Sequence, residues 1–516
     1  MAVATLISKL VGLVRQQAIA ATFGVGDAAN AYSYAYVIPG VLLILLGGVN
    51  GPIHSAIVSV LAKRDKEAAA PLVETITTLV GGALLLVSIC LVVFADPLIK
   101  LVGPGLSQAT HAIATQQLRI MAPMALLSGL MGIGFGTLNT ANQYWLLSIS
   151  PVFSSITIII GLGILFLQLG HQIIQPQHVV LGGMVLAWGT LAGAILQWVV
   201  QLIVQWRLGL GTLRLRFDFH SSGVREILKI MGPAIFSSGM LQINVYTDLF
   251  FASAIPGAGA AFQDANYLVQ TPLGIISNII LFPLLPMLSR LAAPSDWVNL
   301  KLRIRQGLFL TAITMLPIGA LIVALALPAV RIVYERGAFK HHDSMLVASV
   351  LMAYGVGMFV YLARDVMVRV FYALGDGETL YRVSIANIFL NALLDFFLVK
   401  PFGAPGLILA TAGVNLVTTI VFLWLLDRKL NGLPWQKWIL PIVGLIGMSL
   451  IAGLACSGTL WICQHLGTEG VLLQLIQLCI SGAVGLAVFC LLVTRLNLPE
   501  VDLLTSRLRQ KFFKRE

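Results

Sequence analysis

Charge is what this sequence has least of. Only 10% of its 516 residues are Asp, Glu, Lys or Arg, against about a quarter in soluble domains. That is too little charge to clothe a water-exposed surface, so a soluble enzyme or carrier is excluded. Cysteine is as sparse: Cys90, Cys456, Cys463, Cys479 and Cys490 stand singly in or beside apolar runs. With no CxxC or Cys/His spacing there is no disulfide framework and no zinc site. Nothing forms a nucleophile–base pair, a phosphate-cradling loop or a metalloenzyme motif, so no enzyme activity is expected. A cleavable signal peptide is not evident either, because the first apolar stretch carries internal charges and no small-residue cleavage pattern follows. The chain opens almost inside that stretch, as it would if the start codon lay further upstream.

What is present is apolar. The sequence is 58% hydrophobic, its mean hydropathy is +0.93, and apolar runs of about twenty residues, the length of a membrane span, recur from end to end. The runs lie near 1–22, 31–61, 72–95, 112–140, 146–169, 179–205, 228–254, 265–289, 306–334, 345–374, 380–399, 405–426, 438–463 and 470–494. The reading is an all-α polytopic membrane protein with fourteen transmembrane helices.

The net charge of +11 belongs to the loops and the tail, where topology and anionic headgroups favour it, so nucleic acid is not an expected partner. Of 32 Lys and Arg, 22 fall in breaks after even-numbered runs or in the C-terminal tail, and five in breaks after odd-numbered runs. The other five (Lys9, Arg15, Arg119, Arg364, Arg369) lie inside runs. This asymmetry predicts that both termini are cytoplasmic.

The chain also repeats itself. Gly183-Met-Val-Leu-Ala-Trp-Gly parallels Gly406-Leu-Ile-Leu-Ala-Thr-Ala, and Leu138-Asn139-Thr140-Ala141 parallels Leu374-Gly375-Asp376-Gly377. Pro39 and Pro272 occupy corresponding runs. Offsets of 223 to 236 residues predict two six-helix lobes in parallel orientation, a transporter architecture with its site between the lobes. The expected divisions are an N-terminal lobe 1–205, a cytoplasmic linker 206–227, a C-terminal lobe 228–430, two further helices in 431–494 and a basic cytoplasmic tail 495–516.

The first run stands apart because it holds two fixed cations, Lys9 and Arg15, in Ser8-Lys9-Leu10-Val11-Gly12-Leu13-Val14-Arg15. A cation near the bilayer centre costs about 2.5–3.5 kcal/mol on insertion scales, so it normally faces protein or a watery cavity. Six residues of helix separate the pair by about 9 Å along the axis and about 240° around it. They do not share a stripe, although both long side chains could reach one wide lumen. The alternative is that each marks a helix end.

These residues resemble the MurJ/MviN lipid II flippases of the multidrug/oligosaccharidyl-lipid/polysaccharide exporter superfamily, over nearly the whole chain. The resemblance is carried by Ser8-Lys9-x-x-Gly12-x-x-Arg15 with Ile19-Ala20-x-x-Phe23-Gly24, and by Ala31-Tyr32-x-x-Ala35-Tyr36-x-Ile38-Pro39. Glu335-Arg336-Gly337-Ala338-Phe339, Phe371-Tyr372-Ala373-Leu374-Gly375-Asp376 and Pro401-Phe402-Gly403-Ala404-Pro405-Gly406-Leu407 complete it. It implies fourteen helices in two lobes around a cationic cavity, with the last two helices bordering a lipid-tail groove. The implied function is movement of an undecaprenyl-pyrophosphate-linked peptidoglycan precursor, lipid II, across the inner membrane by alternating access, in a monomeric transporter surrounded by membrane lipid. Guanidinium binds phosphate oxygens bidentately and ammonium acts as a point charge. Arg15 and Lys9, with Ser8 beside them, are therefore expected at the pyrophosphate, assisted by Asn30, Asn266, Tyr267 and Gln270, with Arg364 a further contributor.

The chain departs from the family in a systematic way. The family's Arg-Arg pair after the Ile-Pro-Asn of helix two is absent from Gly40–Gly51, which reads two residues longer, and Tyr267 stands where the family has arginine. Gln16, Asn30, Asn266 and Gln270 replace acidic residues. Cations and counter-ions are thus missing together, which keeps a cavity near electrical balance. Two other readings stay open: an ion-coupled exporter of another lipid-linked oligosaccharide or amphiphile, and a non-transporting scaffold for envelope assembly.

A second constellation concerns ions. Asn391 and Asp395 are four apart and share a helix face. With Asp248 and Thr411 they make an all-oxygen set suited to a hard cation or a proton relay. Some family members bind sodium between the corresponding helices, so a sodium ion is the one cofactor expected; the alternative is a structural hydrogen-bond network. Asp365 and Arg369 have the spacing of an intrahelical pair, Arg119 that of a snorkelling or paired cation, and His54 reads as a satisfied polar residue.

Overall fold

The computed structural model describes residues 2–48, 51–64, 66–240, 242–465 and 470–496. Among these the secondary structure is helical, without strands, as it must be where no water can pair the backbone. Nearly all of the predicted basic tail lies outside the described residues. The chain divides into two compact units, Met1–Gln263 with Arg336–Lys340, and Asp264–Glu335 with His341–Glu516.

The first unit contains α1 (Ala2–Phe23), α2 (Asp27–Gly47), α3 (Pro52–Leu61), α4 (Lys66–Val93), α5 (Ala95–Val102) and α6 (Gln108–Met121). It continues with α7 (Met124–Thr140), α8 (Tyr144–Ile149), α9 (Pro151–Leu169), α10 (Val179–Arg207), α11 (Ser222–Met240), α12 (Ile243–Ala252) and the first residues of α13 (Ala258–Ser289). The second holds the rest of α13, then α14 (Trp297–Tyr334), α15 (His341–Ala373), α16 (Gly377–Phe402), α17 (Ala404–Lys429), α18 (Trp435–His465) and α19 (Val471–Val493).

Among the described residues every apolar run is helical, but four of the runs are not single rods, the run at 146–169 being divided between α8 and α9 at Ser150. The run at 31–61 is α2 and α3, separated where Gly47-Gly48 and Gly51-Pro52 end one helix and start the next. The run at 112–140 is α6 and α7, bent by 42° at Ala122-Pro123. The run at 228–254 is α11 and α12. Among the described residues eleven helices are long and apolar enough to cross a membrane, or twelve if the bent pair is one span. Both α1, with its internal cations, and the α11–α12 pair fall outside that number.

In the first unit α2 is the central post. Fifteen of its 21 residues are buried, the pattern of a helix enclosed on all sides, and α6, α7 and α10 pack on it. Small residues set the spacing: a Cβ on Gly132 of α7 would lie 1.9 Å from the Leu46 carbonyl oxygen, so these backbones touch. Val224 and Ile227 of α11 join Ile53 and Ile57 of α3 in one core. By packing, therefore, α11 and α12 belong with the first unit, whereas the internal repeat counts them with the second half. The segment after α10 is fastened to α4: the Thr212 N–H and hydroxyl donate to buried Glu74 at 3.1 and 2.8 Å, and the Arg216 N–H donates to Thr78 Oγ1 at 3.1 Å.

In the second unit α14 and α15 lie close because Gly319 faces the Gly355 carbonyl, 2.4 Å from where a Cβ would sit. Helix α17 packs between α15 and α16, and α18 and α19 pack on α14. At the end of α17, Lys429 Nζ donates to Asp376 at 2.7 Å.

Candidate functional site

The stretch that carries the two N-terminal cations is helical throughout, and Ser8, Lys9 and Arg15 are all half-buried on it. The positive end of this cluster is organised by α2. Tyr32 and Tyr36 stack with centroids 5.5 Å apart, and Arg15 lies close enough to interact electrostatically with both. The Tyr32 hydroxyl meets Thr190 Oγ1 of α10 at 2.8 Å. Thr190 gives its only proton to the Leu186 carbonyl at 2.7 Å, so Tyr32 is the donor in that pair and its oxygen lone pairs remain acceptors. Arg15 thus stands beside two stacked tyrosines, one of them anchored to α10 through Thr190.

Asn30 has a different job in the same helix. Its Oδ1 accepts the Gly259 N–H at 3.0 Å, joining α2 to the first turn of α13. A Cβ on Gly259 would lie 2.9 Å from that oxygen, so only glycine lets the two backbones approach. An amide preserves the acceptor that an aspartate would supply.

The other four predicted contacts, Asn266, Tyr267, Gln270 and Arg364, belong to the second unit. Asn266 and Tyr267 are half-buried on α13 and Gln270 is exposed. Arg364 on α15 forms an ion pair with Asp365 at 3.0 Å. The carboxylate expected to pair with Arg369 therefore has an ion pair with its immediate neighbour. His54 is buried, with Nε2 2.8 Å from Asn139 Nδ2, the satisfied polar residue expected. Arg119 is exposed in the last turn of α6, where a cation complements the helix dipole.

The ion set comes together in part. Asn391 and Asp395 are fully buried, and the Asn391 amide donates to Asp395 Oδ2 at 2.8 Å. They sit in a polar seam with α17, where Thr418 donates to Asn387 Oδ1 at 2.9 Å and the Asn415 amide donates to the Thr411 carbonyl at 2.8 Å. Thr411 gives its hydroxyl proton to the Leu407 carbonyl at 3.2 Å, which leaves oxygen lone pairs to accept or ligate. Asp248 lies on α12 in the first unit. No group of three or more His, Cys, Asp or Glu able to hold a metal occurs among the described residues. One carboxylate with amide and hydroxyl oxygens fits a hard monovalent cation better than a divalent one, which calls for more charge.

Two features escaped the sequence reading. Tyr32 and Tyr36 belong to the Ala31–Pro39 motif, but nothing local in the sequence put them beside Arg15. Asp264, almost fully buried on α13, carried no signal beyond being a carboxylate inside a span.

A family model described as "Lipid II flippase MurJ" matches residues 19–477. A probable lipid II flippase MurJ of Synechocystis sp. is 56% identical, over 99% of this chain and 96% of that protein. The lipid II flippase MurJ of Burkholderia cenocepacia is 27% identical over 87% of each. Among solved structures, an inward closed lipid II flippase MurJ matches with a TM-score of 0.76 at 22% identity, covering 96% of this chain and 98% of that one. An inward-facing multidrug transporter of the MATE family matches with a TM-score of 0.65 at 17% identity, over 84% and 99%. With the family model covering most of its length and a close relative covering almost all of it, this chain belongs to the MurJ lipid II flippase family.

Proposed function

We propose that this protein moves lipid II across the cytoplasmic membrane, and that Arg15 holds the pyrophosphate of the substrate. The observation that carries the assignment of the site is Arg15 on α1, half-buried inside an apolar run and beside the stacked Tyr32 and Tyr36. A fixed cation inside a membrane protein is costly and marks a functional position by default, and a guanidinium there suits an anionic group. The guanidinium offers bidentate donors to phosphate oxygens, and the phenol oxygen of Tyr32 holds its orientation. Lys9 adds a point charge further along α1, and Ser8 a hydroxyl. Asn266, Tyr267, Gln270 and Arg364 remain candidate polar contacts for the substrate.

Net transport needs the two states of the carrier to differ in affinity, since equal binding in both shifts nothing. A sodium ion at Asn391, Asp395 and Thr411 is a means of creating that difference, with its two α16 ligands already on one face. The asymmetric distribution of Lys and Arg along the sequence supports both termini being cytoplasmic. The protein works as a monomer.

The test is rescue of a cell depleted of its own lipid II flippase. The parent chain is expected to rescue growth, and a normally inserted Arg15→Ala variant to fail. Rescue by both would reduce Arg15 to an anchor. Failure of both, with the parent properly inserted, would point to another lipid-linked substrate.

A further inference from the structure

In the second unit two cavities follow one another along the same pair of helices. One is an apolar groove of about 360 Å³, bordered by Met315, Gly319 and Val323 of α14, Phe359 of α15, and Leu450 and Leu454 of α18. On α14 its lining ends at Ala324, and on α18 at Ser457. One turn further on both helices a polar pocket of about 260 Å³ opens, lined by Pro328 and Arg331 of α14, Leu460 and Gln464 of α18, and Gln474 and Gln477 of α19. The groove spans Met315 to Ala324, roughly 14 Å of helix at 1.5 Å per residue. That is about half the ~30 Å hydrocarbon core, the depth of one leaflet. An apolar trough one leaflet deep, ending in a polar chamber, has the shape of a single membrane lipid.

The chamber's chemistry narrows the head group. Arg331 is its only cation, and that charge is already compensated: Nε lies 3.2 Å from Glu335 Oε2 and a terminal nitrogen lies 2.8 Å from His341 Nδ1. Ser344 donates to the same Glu335 carboxylate at 2.6 Å, and His341 Nδ1 is 3.8 Å from it. A compensated arginine is a poor sink for a phosphate. Three carboxamides dominate instead, and an amide both donates and accepts. Hydroxyl groups do the same, whereas a phosphate only accepts. Gln477 is held by donation to the Cys463 carbonyl at 3.1 Å, which fixes the floor, while Gln464 and Gln474 are exposed at the rim.

We infer that this groove and chamber bind one glycolipid, with an acyl chain along α14 and α18 and its sugar hydroxyls on Gln464, Gln474 and Gln477. The chamber lies at the end of α14 that carries few basic residues, so the lipid belongs to the leaflet away from the basic loops. The inference does not depend on lipid II being the transported substrate.

The test uses the purified full-length protein in mild detergent, exchanged with monohexosyl diacylglycerol, phosphatidylglycerol or phosphatidylcholine of identical acyl chains, with retained lipid counted by native mass spectrometry. Loss of two hydrogen bonds corresponds to about a tenfold change in retention. The parent is expected to retain the glycolipid about tenfold over either phospholipid. The Gln464→Leu/Gln474→Leu variant, altered only at exposed positions, should lose that preference while keeping its melting temperature. A groove-filling Ala320→Phe variant should lose all three lipids together. Equal retention of all lipids by the parent, a preference for phosphatidylglycerol, or a preference that survives the double substitution would each overturn the assignment.

Discussion

Helices α2 and α16 solve opposite problems with the same kind of residue. Both place amides and other polar groups inside a membrane domain. In α2 the polar groups are embedded among buried apolar neighbours on every side, and those at Asn30 and Tyr32 are tied to partners far along the chain. In α16 only Leu380, Asn391 and Asp395 are buried out of 26 residues, while Phe389 is 73% exposed. The first helix would be buried whatever its polar residues were. The second turns inward at a polar pair and outward with its aromatics, the reverse of a soluble amphipathic helix. A polar pair that supplies a helix's main buried contact is expensive unless it binds something. The two helices also differ in sign: α2 orients a cation on α1, and α16 buries a carboxylate.

That contrast can be broken in order of effect. Arg15→Ala should lower flipping of lipid II by about 100-fold or more, as two charge-assisted hydrogen bonds at about 1.5–3 kcal/mol each would require; Arg15→Lys should recover part of it, because charge without the bidentate fork is retained. Asp395→Asn should cost about tenfold in transport and abolish any sodium dependence of the melting temperature, while Phe389→Leu on the outer face of α16 changes neither by more than about twofold. If the Phe389 change were the larger, α16 would act through lipid contact and not through its polar pair.

Asn30→Ala sharpens the other side of the comparison. It leaves the buried Gly259 N–H without its acceptor, a penalty of about 1–3 kcal/mol, so thermal stability should fall more than substrate affinity. Asn30→Asp keeps the acceptor and should be tolerated. Tyr32→Phe removes the donor to Thr190 and should weaken substrate binding by about fivefold through loss of orientation beside Arg15, roughly one hydrogen bond's net worth.

The smallest effect lies outside the spans. Burial pushes the Asp376 carboxyl up, but the hydrogen bonds from Lys429 and from Thr379 outweigh it and hold the group below its ordinary range. A carboxylate whose pKa is lowered on folding stabilises above its unfolded value, about 3.9, and loses that contribution as pH falls through the lower folded value. The pair should therefore be intact at neutral pH, and Lys429→Met should cost about 1 kcal/mol or less there, since Lys429 is partly exposed. Melting curves between pH 3 and pH 7 would check the sign: the difference between parent and variant should vanish at the acid end.

Much of this was legible in the sequence, for identifiable reasons. Apolar runs report helices because the bilayer leaves the backbone no other way to pair. The spacing of Asn391 and Asp395 reported a shared face because four residues is one turn. Hydropathy was blind to helix that leaves the apolar layer: α14 begins at Trp297, before the basic turn of Lys301, Arg303 and Arg305. It was equally blind to breaks inside a run, where Ala122-Pro123 bends one span. The pairing of Tyr32 with Thr190 and of Asn30 with Gly259 joins residues 158 and 229 apart in sequence, and no local pattern encodes such a contact. Asn30 could be read from its motif as a contact for substrate; only the packing shows its oxygen already engaged at Gly259.

The most direct measurement is lipid II translocation in proteoliposomes holding the parent, Arg15→Ala or Asn30→Asp at equal insertion. The account predicts transport by the parent and by Asn30→Asp, and a loss of about 100-fold or more in Arg15→Ala, the scale of two charge-assisted hydrogen bonds. Undiminished transport by Arg15→Ala would contradict it, because the guanidinium assigned to the pyrophosphate would then be dispensable.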